Sequence, residues 1–86
     1  MSVNQTILYP VITEDAVALI ETENKLVFVV NKDATKYDIR YAVESLYQVE
    51  VDKVNVLTSP QGLKKAFVRL NPKFPAANLA IKLGIL

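Results

Sequence analysis

The chain contains no cysteine and no histidine. Without thiols there are no disulfides, thiolate metal sites or thiol nucleophiles. Without imidazole, zinc-type ligand sets, Ser-His triads and the one side chain that titrates unaided near neutrality are gone as well. Glycine occurs twice and proline four times, and two glycines do not build a GxGxxG or Walker loop. No unbroken apolar stretch exceeds the five residues Leu26 to Val30, against the ~20 that a membrane-spanning helix needs. The first basic side chain is Lys25, so the positive region of a secretory signal is missing. These absences predict a cytoplasmic protein without membrane insertion. Glu14 and Asp15 are adjacent and diverge by about 100° on a helix, which does not make a carboxylate pair around a bond. No supporting groups gather around a tyrosine or lysine base, so neither catalysis nor a cofactor is expected.

What is present describes one domain spanning residues 1–86. The chain has 86 residues, 51% hydrophobic and 22% charged, a composition outside the disordered range and a length that leaves no room for a second core. A domain this small hides only about 60–65% of the surface its unfolded chain exposes, so nearly every large apolar residue must contribute. The net charge is only +1 but is strongly polarised: Met1 to Glu23 carries −4, Asn24 to Asp52 carries −1, and Lys53 to Leu86 carries +6 with no carboxylate at all. Such asymmetry points toward a polyanion, the bland alternative being charges scattered by chance.

Along the chain, Met1 to Thr6 is polar and expected to fray. Ile7 to Ile12, interrupted by Pro10, suits a short edge strand. Thr13 caps a helix that ends near Thr22, with Glu14 and Asp15 in its first turn and Ile12, Ala16, Leu19 and Ile20 on one stripe. Lys25 to Asn31 reads as a strand covered on both faces. Thr35-Lys36-Tyr37-Asp38 resembles a capping box, opening a helix with Ile39, Ala42, Val43, Leu46 and Tyr47 on its apolar stripe. Val51 to Leu57 and Lys64 to Leu70 form a hairpin across a Pro- and Gly-containing link. Pro75 suits a first helical position, Ala76, Leu79, Ala80 and Leu83 make a stripe, and Gly84 closes it in a left-handed cap. A right-handed crossover from Leu26 through Leu57 leaves a gap that the return strand fills, antiparallel to both neighbours. The prediction is an α+β sandwich with Lys64 to Leu70 central in an antiparallel sheet.

Two groups of residues point to chemistry. On the return strand, Lys65, Phe67 and Arg69 share one face, with ~13 Å between the outer two. Cations so placed grip phosphates while the ring packs on a sugar or base. The plainer reading is a core phenylalanine between bases that snorkel past a helix edge. Lys32, Lys36 and Arg40 form the second group, beside helix amides and Thr35 that suit a phosphate. Here Asp33 and Asp38 offer the competing reading of a solvated, self-paired face.

Lys64-Lys65-Ala66-Phe67-Val68-Arg69-Leu70-Asn71 with Leu79, the Ala34-Thr35-Lys36, Asp38-Ile39 and Ala42-Val43-Glu44 run, Pro10-Val11-Ile12-Thr13-Glu14, and Val54-Asn55 follow one another in order from Pro10 to Leu86. In that order they resemble the motifs of the universal large-subunit ribosomal protein L twenty-three family. The resemblance implies a four-stranded antiparallel sheet in order 1-2-4-3 with flanking helices. It also implies a structural protein that binds large-subunit rRNA near the exit tunnel among neighbouring ribosomal proteins. Factors such as the signal recognition particle or a nascent-chain chaperone would dock on it.

By position the resemblance makes Thr13, Lys32, Thr35, Lys36, Asn55, Lys64, Lys65 and Arg69 rRNA contacts, to which the second basic group adds Arg40. Glu14 falls at the family's acidic factor-docking position. Asp15 stands where many members carry lysine, and the family's "VNT" reads Val54-Asn55-Val56 here. The short Thr58 to Leu63 link and the absence of a basic extension fit an archaeal type. The acidic first third is expected to face away from RNA. The alternative from another class is a small α+β protein-interaction or ligand-binding domain. It gains if the cations scatter around an apolar pocket, whereas RNA gains if Lys36, Arg40, Lys64, Lys65 and Arg69 lie on one face.

Overall fold

Leu26 to Val30, apolar at every position, becomes the strand buried on both sides that its composition demands. It belongs to a computed structural model that describes residues 1–86. The elements run α1 (Val3–Thr6), β1 (Ile7–Pro10), α2 (Glu14–Glu23), β2 (Lys25–Val30), α3 (Lys36–Tyr47), β3 (Val51–Thr58), β4 (Lys64–Leu70) and α4 (Ala76–Lys82). The four strands form one antiparallel sheet in order β1-β2-β4-β3. β4 lies between β2 and β3, antiparallel to both, in the gap left by the α3 crossover. The architecture is the expected α+β.

The core occupies one face of this sheet. Leu26, Phe28 and Val30 of β2, Ala66, Val68 and Leu70 of β4, and Val54 of β3 join Ile39 and Val43 of α3 and Leu79 and Ala80 of α4 in one buried cluster. Alternation sends Val27 and Val29 to the opposite face. There α2 lies against β2, and its Ala16 and Leu19 share a groove with Val27, Lys65 and Phe67.

Asn24 joins three elements. It ends α2 in the left-handed conformation (φ 55°), which asparagine tolerates better than most residues. Its side-chain amide donates to the carbonyls of Leu70 (3.0 Å) and Phe74 (3.2 Å), and its Oδ1 accepts the Ala76 amide at 2.6 Å. Pro75 is therefore the cap residue of α4 rather than its first helical residue, and Asn24 satisfies the leading free amide from a distance. At the other end, Gly84 (φ 77°) takes the left-handed position. Its amide reaches the Ile81 carbonyl and that of Ile85 the Ala80 carbonyl, a Schellman closure.

Three expectations are corrected. The N-terminal residues do not fray: Val3–Thr6 forms a helical turn, the Thr6 hydroxyl donates to the Ser2 carbonyl (2.9 Å), and the Thr6 carbonyl accepts the Asn31 amide (2.9 Å), with Thr6 buried. Ile12 is 59% exposed rather than part of the α2 stripe. The ladder continues past Pro10 through the Val11 amide to the Val27 carbonyl (2.8 Å), so Val11 turns inward and its neighbour outward. Leu46 sits at the margin of the α3 stripe and is exposed. Tyr47 covers the core there instead, its ring stacked on Phe28 at 6.2 Å between centroids. Burial pushes the Tyr47 phenol above its ordinary value of 10.0.

Candidate nucleic-acid interface

The sheet face opposite the core is where the basic strand residues emerge. Ala66, Val68 and Leu70 are buried, so alternation along β4 places Lys65, Phe67 and Arg69 on the other side. Phe67 is half-buried and belongs neither to the core cluster nor to the residues packed around it. The ring thus lies outside the main core, on the opposite sheet face, and is partly covered by α2 in the groove it shares with Ala16, Leu19 and Val27.

Register then decides its company. On β3, Lys53 lies opposite Arg69, Asn55 opposite Phe67 and Leu57 opposite Lys65. On the β2 side, Lys25, Val27 and Val29 hold the corresponding places.

A bulge makes this arrangement possible. The register shifts between Val51 and Lys53, leaving Asp52 without a strand partner. Without that extra residue, Val51 and Lys53 would point the same way. With it, Val51 enters the core and Lys53 joins the open face. Lys53 is a cation that the sequence reading omitted. The signal lay in the three-residue spacing of Val51 and Val54, which breaks strand alternation.

Lys53 and Arg69 face each other across neighbouring strands, where directly opposed side chains stand only ~4.5–5.5 Å apart at Cβ and like charges destabilise. Neither has a carboxylate within ion-pair distance, whereas Lys25, on the far side of Arg69, is neutralised by Glu23 at 3.0 Å. The chain's other ion pair is Arg40 with Glu44 at 3.8 Å. Of the ten lysines and arginines, eight are therefore unpaired.

The remaining predicted residues fall into separate places. Lys36 and Arg40 lie on α3, on the core side of the sheet. With Tyr37, Asp52, Lys53 and Val54 they line a shallow groove of about 270 Å³ along the β3 edge. Lys53 is thus common to this groove and to the open face. The expectation that Lys36, Arg40, Lys64, Lys65 and Arg69 occupy one face is corrected to two basic surfaces meeting at the β3 edge.

Lys64 belongs to neither surface. Its position next to Lys65 turns it to the core side, where its Nζ donates to the carbonyls of Ala34 (2.6 Å) and Lys32 (3.4 Å), tying β4 to the loop before α3. Lys32 is exposed on that loop.

At the α3 N-terminus, Thr35 Oγ1 accepts the Asp38 amide (3.2 Å) and the Asp38 carboxylate accepts the Thr35 amide (2.9 Å). The carboxylate thus occupies the place where a phosphate was expected, and the Thr35 hydroxyl proton is what remains to donate outward. Contacts from Thr35, first its backbone amide and then its side chain, hold the Asp38 carboxyl below its ordinary value of 3.8. Attraction from the Met1 ammonium and Lys64 adds to this. A depressed folded-state value contributes stability that is present above the unfolded value and lost as pH falls through the folded one. Acid titration followed by circular dichroism should therefore show wild type losing stability below about pH 3.8, and Asp38→Asn should flatten that part of the curve. Parallel curves would show that Asp38 gains nothing from its Thr35 contacts.

Thr13 caps α2, its Oγ1 accepting the Ala16 amide at 3.2 Å. Glu14 is exposed beside it and shares a shallow surface groove with Ile12, Val17 and Glu21. However, α2 itself covers part of the sheet face that carries Lys65 and Phe67, with Asp15 lining their groove, so the expectation that the acidic first third stands clear of the basic face is corrected. No group of acidic side chains is placed to hold a metal ion, and no helix is long and apolar enough to cross a membrane.

A family model described as ribosomal protein L23 matches residues 5–77 of the chain. The large ribosomal subunit protein uL23 of the methanogenic archaeon Methanococcus aeolicus is 45% identical over 85 residues, which cover 99% of each chain.

Proposed function

The chain belongs to the ribosomal protein L23 family, and on that premise we propose that it binds large-subunit rRNA, lies beside the mouth of the exit tunnel and offers α2 to factors that meet the nascent chain. As a member of that family it is a structural constituent of the large subunit of the cytoplasmic ribosome, with rRNA and neighbouring ribosomal proteins as partners, and not an enzyme.

The observation that carries the rRNA reading is the unneutralised Lys53–Arg69 pair at the β3 edge of the open face. A phosphate backbone compensates such a pair, since each neutralised phosphate also releases condensed counterions. Lys65, Lys53 and Arg69 hold phosphates, Phe67 packs against a sugar or base, and Asn55 beside it supplies hydrogen bonds. Lys36 and Arg40 extend the contact around the β3 edge, with Lys32 and the hydroxyl of Thr35 at its end. Lys64 serves by fixing the Lys32 loop, and Thr13 by fixing the start of α2. No groove gathers Lys36, Arg40, Lys64, Lys65 and Arg69 around an apolar lining, and membership of the family favours RNA over the protein-interaction alternative.

The acidic α2, with Glu14 and Glu21 beside exposed Ile12, is the surface we assign to the signal recognition particle or a nascent-chain chaperone. Ribosomes of the source organism carrying a stalled nascent chain, with a photoreactive residue where the chain emerges, test the location. The expected result is an adduct between the nascent chain and this protein. Adducts to other subunit proteins alone would contradict the placement at the tunnel mouth.

A further inference from the structure

Tyr37 and Tyr41 are the most exposed large hydrophobic side chains of α3, at 85% and 67%. A structural role does not explain them, because the helix buries its opposite stripe of Ile39, Ala42 and Val43 and makes its aromatic core contact through Tyr47. They stand one helical turn apart, at i and i+4, where side chains project from the same face one above the other with ~6 Å of rise between them. That separation is close to twice the ~3.4 Å spacing of stacked bases. A slight rotation of either ring opens room for one planar base between the two.

The surroundings choose the occupant. Lys36 and Arg40 flank Tyr37 along the same groove, and Lys53 faces it from β3. Asp52 also lines this groove, leaving an excess of cations. Arg40 is only loosely held by Glu44 at 3.8 Å, since the Glu44 carboxylate also accepts the Val51 amide at 2.9 Å. Aromatic rings set beside Lys36, Lys53 and a weakly paired Arg40 match a nucleotide, whose base stacks while its phosphates are neutralised.

We propose that Tyr37 and Tyr41 form a platform that takes one unpaired rRNA base between them, with the flanking phosphates held by Lys36, Arg40 and Lys53. The proposal rests on the rRNA-binding function above and adds that the RNA met by α3 is a loop or bulge with a splayed base, since a paired base in an A-form helix is not free to enter.

The test compares full-length variants on a large-subunit rRNA fragment across a salt series. Tyr37→Leu with Tyr41→Leu keeps apolar bulk and helix propensity but removes the π faces. It should weaken binding roughly ten- to a hundredfold, while the salt dependence stays as in wild type because no phosphate contact is lost. Tyr37→Phe with Tyr41→Phe should bind like wild type. If the Leu variant keeps full affinity while a Lys65→Ala, Arg69→Ala variant loses it, the platform is overturned and rRNA binding stands. If neither changes affinity, the rRNA reading itself fails. A Leu variant that binds naked rRNA normally but no longer enters large subunits overturns the platform by assigning this face to a protein neighbour.

Discussion

Replacing Phe28 by alanine is expected to lower the unfolding free energy by about 3–5 kcal/mol. The side chain is fully buried at the centre of β2, opposite Ala66 on one side and Pro10 on the other, and its ring stacks on Tyr47. Its small neighbour Ala66 cannot expand into the vacated volume, and Tyr47 would lose the surface against which it is buried, so the site has little means of collapsing. A domain of this size has a total stability of roughly 4–13 kcal/mol, so the variant should sit near the edge of folding. Urea unfolding monitored by circular dichroism measures the change directly. A loss below about 1 kcal/mol would show that the β2 core is not packed as described.

The Lys65→Ala, Arg69→Ala pair should act in the opposite way, sparing the fold and damaging the interface. Both side chains leave the face of β4 that carries no core residue, and neither is ion-paired. Stability should stay within about 0.5 kcal/mol of wild type. A slight gain is expected because removing Arg69 relieves its opposition to Lys53. Affinity for a large-subunit rRNA fragment should fall on the order of a hundredfold, as two charge-assisted phosphate contacts disappear. The combination of retained or improved stability with lost binding is the mark of a surface maintained for its partner. Unchanged affinity would mean that the open face is not where RNA lies, while a large loss of stability would return these residues to a structural role.

The parts of this architecture that could be read from the sequence are those set by local rules. The unbroken apolar run of β2 announced burial on both faces, the Thr35 to Asp38 spacing announced the α3 cap, and alternation along Lys64 to Leu70 separated Lys65, Phe67 and Arg69 from the core. What escaped was set by contacts between distant segments. The bulge at Asp52 moved Lys53 to the open face, and its only trace was one irregular spacing between valines. Asn24 caps α4 from 52 residues away, a relation that no local pattern carries. Alternation already separates Lys64 from Lys65, but its partner, the Ala34 carbonyl 30 residues back, is not legible in the sequence. The N-terminal turn is polar in composition and ordered through Thr6 and Asn31. The single basic wall became two surfaces for the same reason: α3 packs on the core side, so Lys36 and Arg40 reach Arg69 only around the edge strand and through Lys53.

The central claim is that the cations of the two basic surfaces hold phosphates, and its most direct measurement is the affinity of the wild-type chain for a large-subunit rRNA fragment between roughly 50 and 200 mM monovalent salt. With Lys36, Arg40, Lys53, Lys65 and Arg69 each neutralising one phosphate, log affinity should fall against log salt with a slope of about −4. A slope near zero would mean that the bases do not meet RNA at all.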